Sequence, residues 1–335
     1  MTPFDLLQKH PRAALLSGPT PVEHLARLSR HLGIEVFVKR DDLTGLGMGG
    51  NKIRQLEFYL GDALAKGADT VLITGAVQSN YVCAAAAAAA KLGLDAVVQL
   101  EERVPGMGRT YYESGNVLLD DLLGARRLTF PEGENEAGAD QALRDEADRL
   151  RQQGRRPYVI PLGLDNPPLG ALGYMLAARE VVEQGIAFDC AVVASGSGYT
   201  HTGFLCGLRA LGIRVPVHGA CVRRSADQQR GRIAAISGKL ATLLGCPPLL
   251  GNDDVLTWDL ALVPGYGRLG PAAREAISLM ARYEGLFVDP VYTAKSLAVL
   301  IALTRVGTIA KGSRVLFIHT GGLSAIFAYE PELRA

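Results

Sequence analysis

Cysteine is scarce: there are five in 335 residues, an odd number, and no Cys-x-x-Cys pair occurs. Cys83, Cys190 and Cys206 lie inside apolar runs. A disulfide framework and a zinc knuckle are both excluded by this pattern, and buried reduced thiols in a cytoplasmic protein are expected. The six histidines are scattered, with neither His-Glu-x-x-His nor paired-carboxylate spacing, so no metal centre is expected. No Gly-x-Ser-x-Gly elbow supports a hydrolase triad. Charge of one sign is not in excess: Lys+Arg is 35, Asp+Glu is 34 and the net charge is +1. That gives no surplus to neutralise a nucleic-acid backbone. Long hydrophobic runs are missing too. The longest candidate, Val82–Ala90, is nine residues long and stops at Lys91, against roughly 18 needed to cross a bilayer. The N-terminal MTPFDLLQKHPRAALL lacks a basic segment followed by a continuous apolar one, so no signal peptide and no membrane are expected.

What is present is apolar material for a large core, 48% of the residues, and a length that suggests about two domains. Short β-rich runs alternate with helical stretches. Strands are expected at Glu35–Lys39, Thr70–Thr74, Ala96–Leu100, Arg126–Phe130, Pro157–Ile160, Cys190–Ala194, Val215–Ala220 and Arg314–His319. Helical stretches include Lys52–Ala65, Asn80–Leu92, Glu136–Gln152, Gly170–Gln184, Gly203–Leu211, Ala272–Glu284 and Thr293–Arg305. Such alternation implies an α/β protein of parallel sheets covered by helices, with ligands beyond the carboxyl ends of the strands. The Gly-rich loop 45–50 and the linker-like 161–170 could bracket an inserted domain. The alanines of 84–90 read as a helix packed tightly on a sheet.

Four places could carry chemistry. Lys52, after Gly49-Gly50-Asn51, opens a helix, where the partial positive charge favours a neutral amine; the plainer reading is a solvated lysine. Gln78-Ser79-Asn80 sits at a helix start, where Ser79 or Asn80 could cap the helix, bind an anion such as a carboxylate, or do both. The run Ser195-Gly196-Ser197-Gly198-Tyr199-Thr200 follows a strand and makes a good phosphate cradle. It lacks the Gly-Lys-Ser/Thr of a Walker loop and the spacing of a dinucleotide fingerprint, leaving a mononucleotide-sized phosphate ester or an empty turn. At the C-terminal end Tyr292-Thr293 and His319-Thr320 close the set, with Tyr266 in Gly265-Tyr266-Gly267. Each tyrosine is either a proton donor or a core aromatic, and His319 either an acid–base group or a structural histidine. One hypothesis unites the four: a lysine for an imine, a phosphate cup, hydroxyls and no metal suggest pyridoxal 5'-phosphate.

Eight motifs then occur in order: Pro19-Thr20-Pro21, Lys39-Arg40-Asp41-Asp42-Leu43-Thr44-Gly45, Gly49-Gly50-Asn51-Lys52-Ile53-Arg54, Gln78-Ser79-Asn80, Ser195-Gly196-Ser197-Gly198, Gly265-Tyr266-Gly267, Asp289-Pro290-Val291-Tyr292-Thr293 and His319-Thr320-Gly321-Gly322. From about Pro19 to the end the chain resembles the D-cysteine desulfhydrase / 1-aminocyclopropane-1-carboxylate deaminase family, tryptophan-synthase-β-like enzymes of pyridoxal phosphate. The resemblance implies a two-domain fold type II enzyme, each domain an open, mostly parallel twisted sheet flanked by helices, and a homodimer. Residues 1–52 and 162–335 would form the larger, cofactor-binding domain and 53–161 a smaller inserted α/β domain. Lys52 would hold the cofactor aldehyde and Asn51 the pyridine 3'-oxygen. Ser195 to Thr200, including Gly196, Ser197, Gly198 and Tyr199, would hold the phosphate. Gln78, Ser79, Asn80 and Tyr81 would meet the substrate, with Ser79, Tyr266 and Tyr292 also catalytic. Thr293 and Thr320 would lie in the ring-nitrogen region.

The deaminases of that family carry Glu at the position of Thr293 and usually Leu at that of Thr320. Two threonines match the desulfhydrases, and a neutral hydroxyl leaves a weaker electron sink than a carboxylate does. α,β-Elimination from a small β-substituted amino acid is therefore expected, D-cysteine giving pyruvate, ammonia and hydrogen sulfide. The alternatives are cyclopropane ring opening to 2-oxobutanoate, a related lyase acting for example on cysteate, an amino-acid racemase, or a silent relative that only binds. Tyr81, where the family has His or Gln, and Tyr199-Thr200-His201, where it has Gly-Thr, depart from the pattern. Either their rings point outward or they reshape the pocket.

Overall fold

The computed structural model describes residues 1–160, 162–164, 166–251 and 253–335. Ten strands among them form two sheets. They are β1 (Val22–His24), β2 (Glu35–Lys39), β3 (Thr70–Ala76), β4 (Asp95–Glu101), β5 (Arg126–Phe130), β6 (Pro157–Ile160), β7 (Cys190–Ser195), β8 (Val217–Cys221), β9 (Leu256–Trp258) and β10 (Arg314–Ile318). One sheet has the order β1-β2-β10-β7-β8-β9 and the other β5-β4-β3-β6. Every pair is parallel except β1 with β2. The mixed α/β architecture with mostly parallel, helix-flanked sheets is thus the one the alternation implies.

Both faces of each sheet are covered, which is why the inner strands read as near-continuous apolar runs. All seven residues of β3 are buried. The alanine helix, Asn80–Leu92, packs on β3 and β4 with Ala84–Ala89 buried, so methyl side chains let it lie close to the sheet. The helix Lys52–Ala65 starts where expected and packs along Leu169–Glu183. There Arg54 donates to Asp41 and Glu180, Lys39 donates to Glu180, and Tyr174 donates to Asp41. Removing one partner from such a buried group leaves an uncompensated charge.

Pro161, the last residue of the expected inserted domain, lies outside the described residues. The short strands β1 and β9 were not read in the sequence, and two helices beside the carboxyl ends of the strands also differ from its pattern. The helix expected from Gly203 begins four residues earlier and spans Tyr199–Ala210, because Gly198 adopts φ 99° and starts it immediately after β7. A 19-residue helix, Ala226–Leu244, follows β8, opened by a capping box of Ser225 and Gln228. No described helix is long and apolar enough to cross a membrane.

Candidate active site

The carboxyl ends of β3, β7, β8 and β10 converge on one cavity, as expected for parallel sheets. Lys52 reaches it through a pinned turn. A Cβ on Gly49 would lie 2.0 Å from Asp42 O, and one on Gly50 3.0 Å from Thr320 O. Both glycines have positive φ. The Asn51 N–H donates to Thr320 O at 3.1 Å, tying the turn to the end of β10. The Lys52 amine faces the Tyr81 ring 5.0 Å from its centroid. Burial, with no carboxylate opposing it, pushes the amine down to about 8. At that pH half of the amine is in the neutral, nucleophilic form, against a negligible share for an ordinary lysine.

Ser79 caps as expected, its hydroxyl accepting from the Val82 N–H at 3.3 Å at the start of Asn80–Leu92, and it also lines the cavity beside Asn80 and Tyr81. Gly75 makes room for it, since a Cβ there would come within 2.6 Å of Ser79 Oγ. Gln78 does not reach the cavity. Its amide donates to Tyr111 O and Ser114 O and its oxygen accepts from the Asn116 N–H at 2.9 Å, so its polar groups are committed to the chain.

Across the cavity the turn Gly196-Ser197-Gly198 leads into Tyr199–Ala210. A Cβ on Gly198 would fall 2.7 Å from Ile236 Cδ1. The first N–H groups of that helix have no intrahelical partner and point to the cavity end, as an anion site requires. Thr200 Oγ1 accepts from Asn51 Nδ2 at 2.7 Å and Gln55 Nε2 at 2.8 Å, joining this side to the lysine turn. Ser195 and Tyr199 are not cavity residues. Ser195 Oγ accepts from Gln229 Nε2 and meets His201 Nδ1, while the Tyr199 ring is packed in the core. The bulk of Tyr199 therefore does not approach the cavity. His201 is buried as well, and burial lowers it to about 4, so it is neutral.

Tyr266 and Tyr292 meet with hydroxyls 2.7 Å apart, on the cavity wall. Burial first, and then the neighbouring Tyr266, push Tyr292 well above the usual phenol range, keeping it a protonated donor. Asp289 accepts from the N–H groups of Val291, Tyr292 and Thr293 and orients this turn. Thr293 differs from expectation: its hydroxyl donates to Asp289 Oδ1 at 2.7 Å and accepts from the Asp289 N–H at 2.6 Å, away from the cavity. Only Thr320 of the two threonines lines it. His319 is structural, bonded to Phe287 O and the Gly321 N–H.

Sequence reading missed the charged part of the wall, Arg103, Glu136, Arg223, Arg224 and Arg232. The position of Arg223 and Arg224 directly beyond a strand end was the available signal. A buried amine lowered to about 8, a helix start with unpaired N–H groups and glycines where a Cβ would clash together fit an aldehyde-bearing phosphate monoester such as pyridoxal 5'-phosphate.

Comparison with known proteins agrees. The sequence profile of "pyridoxal-phosphate dependent enzyme" matches residues 13–321. The D-cysteine desulfhydrase of Salmonella typhi is 42% identical over 339 residues, covering 99% of this chain and 100% of that one. That of Yersinia pestis (strain Pestoides F) is 43% identical over 336 residues, with 99% and 100% covered. A crystal structure described as an ACC deaminase homologue superposes with TM-score 0.87 at 37% identity, covering 99% of this chain and 98% of that one. A fungal L-serine ammonia-lyase from Rhizomucor miehei, 19% identical with TM-score 0.69 over 95% of this chain and 98% of that one, shares the fold.

Proposed function

The chain belongs to the pyridoxal-phosphate dependent enzyme family, and from that premise we propose that it is a lyase eliminating the β substituent of a small amino acid, D-cysteine in the first place. Water completes the balance: D-cysteine and water yield pyruvate, ammonia and hydrogen sulfide. The observation that carries the reading is the buried Lys52 amine, lowered to about 8, in the same cavity as the Gly196–Thr200 turn and the Ser79 helix start. The names of the 42–43% identical relatives supply the substrate.

The bound cofactor supplies an aldehyde for the lysine amine and a conjugated ring that accepts electrons from the substrate's Cα. Lys52 Nζ takes and returns protons, a role that its lowering to about 8 suits better than the ordinary lysine value. The start of Asn80–Leu92, with Ser79 and Asn80, holds the substrate carboxylate. The N–H groups from Gly196 to Thr200 hold the phosphate. Tyr292, paired with Tyr266, donates a proton above the substrate. Thr320 offers the ring nitrogen a hydroxyl in place of a carboxylate. That weaker sink suits loss of a good leaving group better than cyclopropane opening. Residues 1–52 and 162–335 form the cofactor-holding part and 53–161 the inserted part, a division supported by the two separate sheets. Five unpaired thiols fit a reducing cytoplasm; a homodimer completes the reading.

Incubation with D-cysteine, L-cysteine and 1-aminocyclopropane-1-carboxylate, with separate assays of sulfide, pyruvate and 2-oxobutanoate, tests it. Equimolar sulfide and pyruvate from D-cysteine are expected. 2-Oxobutanoate from the cyclopropane substrate, without sulfide from either cysteine, would replace the elimination with ring opening.

A further inference from the structure

The turn after β7 is gripped by side chains of a single segment. Arg224, three residues past β8, donates through Nη1 to Gly196 O at 3.3 Å. The capping box at Ser225 then starts Ala226–Leu244, which sets Gln229 and Arg232 three residues apart on one helix face. Gln229 Nε2 donates to Gly196 O at 3.2 Å and to Ser195 Oγ at 2.9 Å. Arg232 donates through Nε to Ser197 O at 2.8 Å and through Nη2 to Leu162 O at 3.1 Å. Gln229 is fully buried and Arg232 is 9% exposed.

In a trans peptide the C=O and the following N–H point in opposite directions. Holding the carbonyls of Gly196 and Ser197 therefore fixes the direction of the N–H groups of Ser197 and Gly198, on the opposite side of each peptide. Donors bearing charge make stronger and shorter bonds than neutral ones. We propose that Arg224, Gln229 and Arg232 are positioning residues that set the geometry with which the 196–198 turn grips a phosphate monoester.

The cluster also carries net positive charge. Glu136, at the start of a helix on the other sheet, bonds to Arg223 and Arg224 and stands 4.0 Å from Arg232. Although burial alone would raise it, Arg224, Arg223, Arg232 and Arg103 hold it below the usual carboxylate range. Arg223, Arg224 and Arg232 face the partly exposed Glu136 and the exposed Glu134, which leaves one positive charge over beside a phosphate monoester, whose charge at pH 7 is about −1.5 to −2. Arg223 provides the internal control. It carries the same charge but bonds only to Glu136, Glu134 and Gly133 O, and to no carbonyl of the turn.

This inference rests on the turn being the phosphate site of the proposed function. Apo-protein is titrated with pyridoxal 5'-phosphate and with phosphate-free pyridoxal, following the visible band of the bound chromophore. R232Q and R224Q are expected to raise the Kd for the phosphate ester about tenfold or more, and to change that for pyridoxal by less than about threefold. R223Q, which removes the same charge without releasing the turn, should weaken the phosphate ester clearly less than either of them and change pyridoxal by less than about threefold. Equal weakening in all three variants would mean that net charge alone acts, and would overturn the positioning role. Unchanged affinity in R232Q and R224Q, or parallel loss of both ligands in both, would overturn it too. Wild-type protein that gains no band with the phosphate ester fails one stage earlier, at the proposed function itself.

Discussion

At Lys52 the chemistry depends on one amine, and its setting explains why its neighbours matter. Burial brings its titration to about 8, so the reactive neutral form grows as pH rises through that value. Capture of pyridoxal 5'-phosphate by apo-protein should accelerate from pH 6 to about pH 9 and then level off, as stopped-flow absorbance would show. K52A should lose the visible band and lower elimination about a thousandfold or more. Y292F should lower kcat about a hundredfold while KM for D-cysteine changes little, because a positioned proton donor acts mainly on the chemical step. Lys52 was legible from its place after Gly49-Gly50-Asn51. The withdrawal of Thr293 was not: its partner Asp289 lies four residues back, and only the folded turn brings carboxylate and hydroxyl together. Gln78 was misread for a similar reason, since Tyr111, Ser114 and Asn116 are more than 30 residues away.

Helices and strands were legible where hydrophobic period and turn chemistry agree. Lys52–Ala65, Asn80–Leu92, Glu136–Gln152 and Thr293–Arg305 end at the residues the sequence suggests. Tyr199–Ala210 was read as starting late because Gly203 and the hydroxyls before it resemble a loop; the φ of Gly198 decides the matter. G198A should cost about 1–3 kcal/mol, from its left-handed backbone and the Ile236 clash, visible in urea unfolding. A different element carries a pH effect. Asp120, on Asn116–Leu122, is fully buried, and both carboxylate oxygens lack a hydrogen-bond partner among the described residues. Burial pushes it up to about 7 from 3.8. A raised folded-state value means its support is complete below about pH 4 and fades as pH climbs through 7. D120N should therefore gain on the order of 1–3 kcal/mol at pH 8 and almost nothing at pH 4, measured by thermal melts at the two pH values.

Over the whole molecule, strand–helix alternation foretold parallel sheets, but not which strand ends share a cavity. The pairing of β10 between β2 and β7 brings Thr320 beside a turn some 270 residues earlier in the chain. The charged wall drawn from both sheets stayed hidden because local pattern carries no record of such meetings. A ligand held by both sheets should stabilise the fold. At about 100 times its Kd, pyridoxal 5'-phosphate should add about 2.7 kcal/mol and raise Tm by several degrees over apo-protein in differential scanning calorimetry. The salt-bridged Arg54 has a mechanical corollary. Only two residues past the reactive amine, its guanidinium is bolted to Asp41, just past the end of β2, and to Glu180 on the helix Leu169–Glu183. The amine thus sits on an anvil. A motion that opened the crevice and left these ion pairs intact would keep the reactive amine with the larger sheet.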